Sequence, residues 1–542
     1  MQGKTAIARI LKAEGVEHLT CFPNNAIIEA AAIEGIRPVT ARTERVAVNI
    51  ADGLTRVTNG RRIGVCAVQY GPGSENAFGG IAQAYGDGTP VLLLPGGVER
   101  TRQGVAPNFQ AIDSYRAVTK WVETVNAAAR IPQMLRRAFT LLRNGRPGPV
   151  MLEIPTDVMR EELPDAAVEH APVRRSAPQG DPADVREAVR LLLAAKAPVI
   201  VAGQGVLYAE AWDELKVLAE LVRVPVLTTL NGKSAFPEDH PLALGAGGLS
   251  GPQMVDRFLK AADLVLGVGT SFTRSTFIVP IPPGKTLVQI TIDERDINKD
   301  YPIAHAVIGD ARAVLRQLVD EARARGGRAA ADPAPAIAAV KRAYLDAWMG
   351  RLTSEEIPIN PYRVIWDLMH TVDRRRTIVT HDAGNPRDQM VPFYEAVVPR
   401  GYIGWGKSTP LGAGLGLAMG AKLGAPDRLV VNLMGDAAFG MVGMDFETAV
   451  RSRIPILTVL MNNGRMGGYD KYLPVSTERY GTRYLSGDYA KVAEGLGGYT
   501  ERVEKPHELA GAIRRAIAET EAGRPALLEV ITREDAEYPQ YA

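Results

Sequence analysis

Short apolar runs rich in β-branched residues recur along the whole chain, each followed by a longer stretch of helical period. They cover residues 62–68, 90–95, 149–154, 198–203, 225–229, 264–269, 287–293, 377–382, 429–436, 456–463 and 526–532. Several are apolar throughout, as strands covered on both faces are. Strands alternating with helices predict β-α-β units and parallel sheets, an α/β fold. The length of 542 residues suggests roughly three domains. Two stretches lack either period: 168–183, rich in Pro, Arg and small residues, and 325–335, reading RGGRAAADPAP. Such segments suit domain boundaries. The expected units are 1–168, 184–325 and 345–542, each a doubly wound parallel-sheet domain. GRPGPVMLEIP at 145–155 is echoed by GRPALLEVIT at 523–532, which suggests that the first and third units are built alike.

Lys plus Arg number 63 and Asp plus Glu 61, a formal net charge of +2. That balance gives no support for nucleic acid or a membrane surface as main partner. The two cysteines, Cys21 and Cys66, cannot build a disulfide framework or a zinc cluster. They are expected to be small core residues. No run approaches about 18 apolar residues, so no membrane span is expected. The N-terminal residues read as a domain's first helix, not a signal peptide, and a cytoplasmic location is the default expectation.

The most informative stretch is 429–469, LVVNLMGDAAFGMVGMDFETAVRSRIPILTVLMNNGRMGGY. One apolar strand ends in Gly435-Asp436 and a second in Asn462-Asn463. In a parallel sheet both ends lie on the carboxyl edge, where open α/β sheets bind ligands. A carboxylate, an amide oxygen and a main-chain carbonyl are hard oxygen ligands that suit Mg²⁺ together with phosphates. Small residues after Asp436 let a diphosphate approach the next helix. This segment resembles the diphosphate- and magnesium-binding motif of thiamine-diphosphate-dependent enzymes, from Gly-Asp-Gly to a paired Asn about 27 residues on. Asn463 lies 27 residues after Asp436, and the departure is Ala437 in place of Gly. The resemblance implies Asp436, Asn463 and the Arg465 carbonyl as metal ligands, with Gly435, Ala437 and Ala438 beside the diphosphate.

The first unit carries Glu44, then Ala51-Asp52-Gly53, then a strand leading to Gly71-Pro72-Gly73, with Asn76 on the next helix. This is similar to the family's pyrimidine-binding domain. There an acid hydrogen-bonds one pyrimidine nitrogen and favours the imino form, which serves as base for the reactive thiazolium carbon. Glu44 fits that role, with Gly73 and Asn76 near the cofactor. In the third unit, GWGKSTPLGAGLGLAMGAKLGAP at 404–426 resembles the segment whose bulky side chain wedges the cofactor into a V. Leu411 falls at the wedge, and the Thr409 carbonyl would face the 4′-amino group. THDAGNPRDQM at 380–390 resembles the first diphosphate loop, with Gly384 and Asn385 as contacts. Gln110, after Phe109 and ahead of Thr119-Lys120, matches a glutamine lining the active site of acetolactate synthases. Met466, Tyr469 and Lys471 are expected on the substrate side. Tyr469 is either a proton donor or a pocket wall, with the wall favoured, and the segment from 463 to 486 could form a lid.

The resemblance spans nearly the whole chain, in the order pyrimidine-binding, middle and diphosphate-binding domain, and is to the acetolactate-synthase-like group. It implies thiamine diphosphate and Mg²⁺, and a homodimer or homotetramer with active sites between subunits. Some relatives hold FAD or an adenine nucleotide in the middle domain. LGAGGLSGPQM at 244–254 has Ser250 near where acetolactate synthases carry a histidine, which leaves FAD unsupported. CFPNN at 21–25 stands where relatives have Gly-x-Pro-Gly, and no His-His pair follows Gly71; both point away from a simple 2-keto acid decarboxylase. The expected reaction makes or breaks a C–C bond beside a carbonyl of a keto acid such as pyruvate. A 2-hydroxyacyl-CoA lyase or oxalyl-CoA-decarboxylase-like enzyme is the alternative, with an aldehyde or acyl-CoA as substrate. A non-catalytic regulatory relative is the rival of another class, and the retained Glu44, Asp436 and Asn463 argue against it.

Overall fold

The chain folds around three six-stranded parallel sheets. The structure is a computed structural model that describes residues 1–327 and 331–540; residues 328–330 of the second expected linker lie outside the described residues. The first sheet comprises β1 (His18–Cys21), β2 (Arg37–Thr40), β3 (Gly64–Val68), β4 (Val91–Gly97), β5 (Trp121–Thr124) and β6 (Val150–Pro155), in the order β2-β1-β3-β4-β6-β5. The second comprises β7 (Pro198–Ala202), β8 (Val226–Thr229), β9 (Ala243–Gly247), β10 (Leu264–Val268), β11 (Thr286–Thr291) and β12 (His305–Ile308), ordered β12-β11-β10-β7-β8-β9. The third comprises β13 (Thr377–His381), β14 (Tyr402–Ile403), β15 (Leu429–Gly435), β16 (Leu457–Asn462), β17 (Tyr499–Val503) and β18 (Ala526–Ile531), ordered β14-β13-β15-β16-β18-β17.

All eleven apolar runs form strands. The first and third sheets share one strand order, and the echoed segments end in the equivalent strands β6 and β18. The seven strands without such a run are the six sheet edges and β1. An edge strand is covered on fewer sides, so its sequence need not be continuously apolar. β2, β5, β12 and β17 each mix buried with exposed or half-exposed residues. Cys21 and Cys66 are free and buried, as expected of core residues. Among the described residues no helix is long and apolar enough to cross a membrane.

The first and third domains meet through two helices, Glu44–Val57 and Ala413–Gly424. Their backbones approach so closely that a Cβ on Gly420 would stand 2.0 Å from the Ile50 carbonyl oxygen, and one on Gly53 would stand 2.2 Å from that of Leu417. The glycine-rich helix thus serves to bring the Glu44 helix onto the third sheet's domain. Near this junction Arg400 donates to Asn59 Oδ1 at 2.7 Å and lies over the Tyr208 ring, linking all three units.

Candidate active site

The carboxyl ends of β15 and β16 are adjacent because the strands pair in parallel, with Gly435 opposite Met461. Asp436 follows directly and is buried. Its Oδ1 accepts from the Ala437 N–H at 2.8 Å and its Oδ2 from the Gly464 N–H at 2.8 Å. Gly464 has φ +67°, a left-handed turn that glycine adopts readily. Asn463 Oδ1 accepts from the Arg465 N–H at 3.0 Å. Burial pushes the Asp436 carboxyl pKa up, and N–H groups of the two strand-end turns oppose that shift. A cation placed here would favour the ionised form. The donor set is one carboxylate, one side-chain amide oxygen and one main-chain carbonyl, the hard oxygens that Mg²⁺ takes. Among the described residues no cluster of three His, Cys, Asp or Glu offers another metal centre. Ala437 lies inside the helix Asp436–Val442 and is not among the positive-φ residues, so its methyl causes no backbone strain.

β13 delivers the next loop. Gly384, at φ +83°, begins the helix Asn385–Met390, and the place its Cβ would fill is open. That loop is tied to the glycine-rich segment by Asp382. This carboxylate accepts from the N–H groups of Ala383 and Gly412, each at 2.8 Å, and of Gly414 at 2.9 Å. Burial raises its pKa to about 6.

One cleft of about 510 Å³ gathers Gly384, Asn385, Thr409, Leu411, Gly435, Asp436, Ala437, Ala438, Asn463, Arg465, Met466, Tyr469 and Lys471. Every diphosphate-domain residue expected from the sequence therefore converges here. The open cradle at Gly384 and the oxygen set at Asp436 and Asn463 fit a magnesium diphosphate. Arg387 and Asp388, paired through two bonds of 2.8 and 2.9 Å, also line the cleft, as do Phe277 and, from the C-terminal tail, Asp535 and Tyr538. No sequence motif marks that tail. The sequence signal for Asp382 is an acid directly between an apolar strand and a glycine loop.

The segment beyond Asn463 folds back on itself. Leu485 N–H donates to the Gly464 carbonyl and Met466 N–H to that of Arg483, both at 2.8 Å. Arg483 pairs with Asp470 at 2.8 Å and with Glu534. Tyr469 stays 48% exposed, edge-on to Tyr472. The segment's first part, through Tyr472, lines the cleft, as a wall would.

The pyrimidine half lies on the first domain. Glu44 opens the helix Glu44–Val57, capped by the Thr43 hydroxyl, and is only 5% exposed. Asn76 Nδ2 donates to its Oε2 at 3.2 Å, so two of the expected residues meet. Gly73 is buried in the first turn of the helix Pro72–Asp87. Gln110 is exposed, donates to the Asn108 carbonyl at 3.1 Å, and lines a separate cavity with Gly71, Pro72 and Phe109. No residue lines both that cavity and the diphosphate cleft. Glu44, Gly73 and Asn76 line neither, so within one chain the pyrimidine-side and diphosphate-side residues share no pocket.

A third cavity sits where the middle sheet's strand order reverses, between β7 and β10. It is lined by Gly203, Gly205 and Gly269 and by the basic side chains Arg143, Arg146, Arg175 and Lys407. Ser250 does not line it; its hydroxyl donates to the Asp388 carbonyl at 2.5 Å.

Sheet order, cleft and buried acid define the class: the chain belongs to the thiamine pyrophosphate (thiamine diphosphate) enzyme family. The family's N-terminal TPP binding domain matches residues 1–120, its central domain 185–318 and its C-terminal TPP binding domain 382–530. Within that family it is an enzyme of the acetolactate synthase type. It is similar to a probable acetolactate synthase large subunit of Methanocaldococcus jannaschii, 30% identical over 98% of this chain and 92% of the relative. It is equally similar to the acetolactate synthase isozyme 3 large subunit of Escherichia coli K12, 30% identical over 98% of this chain and 94% of the relative. A glyoxylate carboligase of Escherichia coli O157:H7 is 31% identical over 92% of this chain and 86% of its own length.

Proposed function

We propose that this protein joins two carbonyl compounds after cleaving a 2-keto acid, pyruvate first among them, with thiamine diphosphate held through Mg²⁺. The convergence of the expected diphosphate-domain residues on one cleft is the observation that carries the reading. Bound there, thiamine diphosphate supplies a nucleophilic carbon and a sink for the electron pair released when the keto acid's C–C bond breaks. The protein's own part is placement. Asp436, Asn463 and the Arg465 carbonyl hold the metal; Gly384 and Asn385 leave room for phosphate; Leu411 shapes the cofactor. Glu44, shielded from water and held by Asn76, keeps a carboxyl group where it exchanges a proton with the pyrimidine ring. Met466, Tyr469 and Lys471 wall the substrate side.

The separation of the Gln110 cavity from the diphosphate cleft supports a homodimer or homotetramer in which a second copy completes each site. The glyoxylate carboligase relative makes glyoxylate the second substrate to try. By its place at the strand-order reversal and its glycine lining the middle cavity suits an adenine nucleotide or the nucleotide half of FAD, although Asp87, Asp296 and Asp310 offset its basic side chains, and the absorption spectrum of the purified protein tests for flavin. The proposed setting is the cytoplasm. The test of the acid's role is Glu44→Gln. Turnover should fall about 100-fold or more, the scale of one positioned proton-transfer group, with Mg²⁺ binding intact. Turnover equal to wild type would sink the assignment.

A further inference from the structure

The residue after the acid has a use of its own. Arg45, half-buried, reaches from the first domain to the third, where its Nη2 donates to the main-chain carbonyl of Leu411. On the other side of that residue, the N–H groups of Gly412 and Gly414 bond to Asp382. Leu411 is thus bracketed, its carbonyl by a guanidinium and the following amides by a carboxylate. Gly412 sits at φ +90° as the cap of the helix Ala413–Gly424, so the bracketed backbone is a turn that few residues adopt. The Leu411 side chain packs against Ala383, Trp405, Ala413 and Leu417. The positive charge of Arg45 and the negative charge of Asp382 act on each other across the bracket.

The start of the Arg45 helix is itself fixed to the third domain. Asp445 accepts from the Arg42 N–H at 2.7 Å, from the Thr43 hydroxyl at 2.9 Å and from the Thr448 hydroxyl at 2.9 Å. Glu44 and Arg45 therefore leave one anchored helix turn. Glu44 serves the pyrimidine half and Arg45 the diphosphate half.

We infer that Arg45 and Asp382 are positioning residues that set the height of the Leu411 wedge from opposite sides. The inference rests on the proposal that this cleft binds thiamine diphosphate. With sites completed between subunits, Arg45 ties the wedge of one site to the helix that carries the acid of another, so the wedge takes its height from the first domain of its own chain. A shift of reacting groups by about 1 Å costs about 100-fold in rate, and the wedge governs such a distance. Loss of the bracket should therefore reduce activation of the cofactor more than its binding.

The test uses the full-length protein with Mg²⁺ and two readouts. Protein fluorescence gives the dissociation constant of thiamine diphosphate. Quenched-flow NMR gives the exchange of the thiazolium C2 proton for deuterium, which needs no substrate. For Arg45→Gln we expect affinity within about threefold of wild type and exchange slowed by about 10- to 100-fold. Arg45→Lys, which can still donate one N–H to the carbonyl, should recover most of the exchange. Asp382→Asn removes one of two acceptor oxygens and should show the same split, which covers the case of an Arg45 variant that does not fold. Exchange at the wild-type rate in both variants would overturn the inference. So would affinity and exchange falling in equal proportion, the mark of a merely structural role. Failure of the wild-type protein to bind thiamine diphosphate, seen in the first titration, would instead overturn the cofactor reading beneath it.

Discussion

The Asp436 carboxylate and the Gly464 N–H lie 2.8 Å apart, tying the end of β15 to the turn after β16. The contact brings residues 28 apart in sequence to one point on the carboxyl edge, and it pre-orients Asp436 before any cation arrives. Asp436→Asn keeps one acceptor but removes the charge. It should weaken Mg²⁺-dependent binding of thiamine diphosphate by at least about tenfold, about 1.4 kcal/mol, as read by titration at fixed cofactor. Unchanged Mg²⁺ dependence would remove Asp436 from the metal site.

Tyr469 is half-exposed at the cleft's rim, and its ring meets Tyr472. A wall residue needs the ring, and a proton donor needs the hydroxyl. Tyr469→Phe should therefore keep kcat within about threefold, whereas a lost proton donor would cost about 100-fold or more. Steady-state rates at saturating substrate separate the two.

Asp382 titrates near 6 because it is buried, and its ionised form is the better acceptor for the Gly412 and Gly414 amides. The charged group facing it from the first domain is Arg45. Its neighbour His381, buried with a pKa held down to about 3, stays neutral through this range. Activity should fall as pH drops through about 6, and in Asp382→Asn that limb should flatten. For stability the direction is opposite. The folded pKa lies above the unfolded value of about 3.9, so folding takes up a proton between the two. This group's contribution is full below about pH 4 and is lost as pH rises to about 6. A pH–rate profile of both proteins, with parallel thermal unfolding, checks both signs.

Much of this was legible in the sequence, for physical reasons that can be named. The central strands showed because cover on both faces demands continuous apolar runs, as in β15 and β16. The residues at the carboxyl edge showed because one βαβ unit holds them, so its two parallel strand ends bring Asp436 near Asn463. Glu44 was legible only beside Gly71–Gly73, since a glutamate at a helix start is otherwise unremarkable. The edge strands stayed hidden, because β2 or β12 need satisfy only one neighbour and tolerates polar residues. The Arg45–Leu411 bond joins residues 366 apart, and no local pattern announces such a contact. The tail residues Asp535 and Tyr538 reach the cleft only through the path of the chain after β18.

The helix junction makes a stability prediction. A methyl on Gly420 would stand 2.0 Å from the Ile50 carbonyl oxygen, and backbone cannot yield cheaply. Gly420→Ala should lower stability by about 1–3 kcal/mol, seen as an earlier thermal transition. It should also reduce activity, because the Glu44 helix is displaced. A variant as stable as wild type would show that the two helices are not held this tightly.

A thiamine-diphosphate-dependent carboligase must release its products in a fixed ratio, which a product assay reads directly. The purified protein would be saturated with thiamine diphosphate and Mg²⁺, given pyruvate, and followed for carbon dioxide and acetolactate. Both products are expected, in equal amounts, and both should be lost when either cofactor is omitted. No thiamine diphosphate binding, together with no carbon dioxide from pyruvate or glyoxylate, would contradict the carboligase reading.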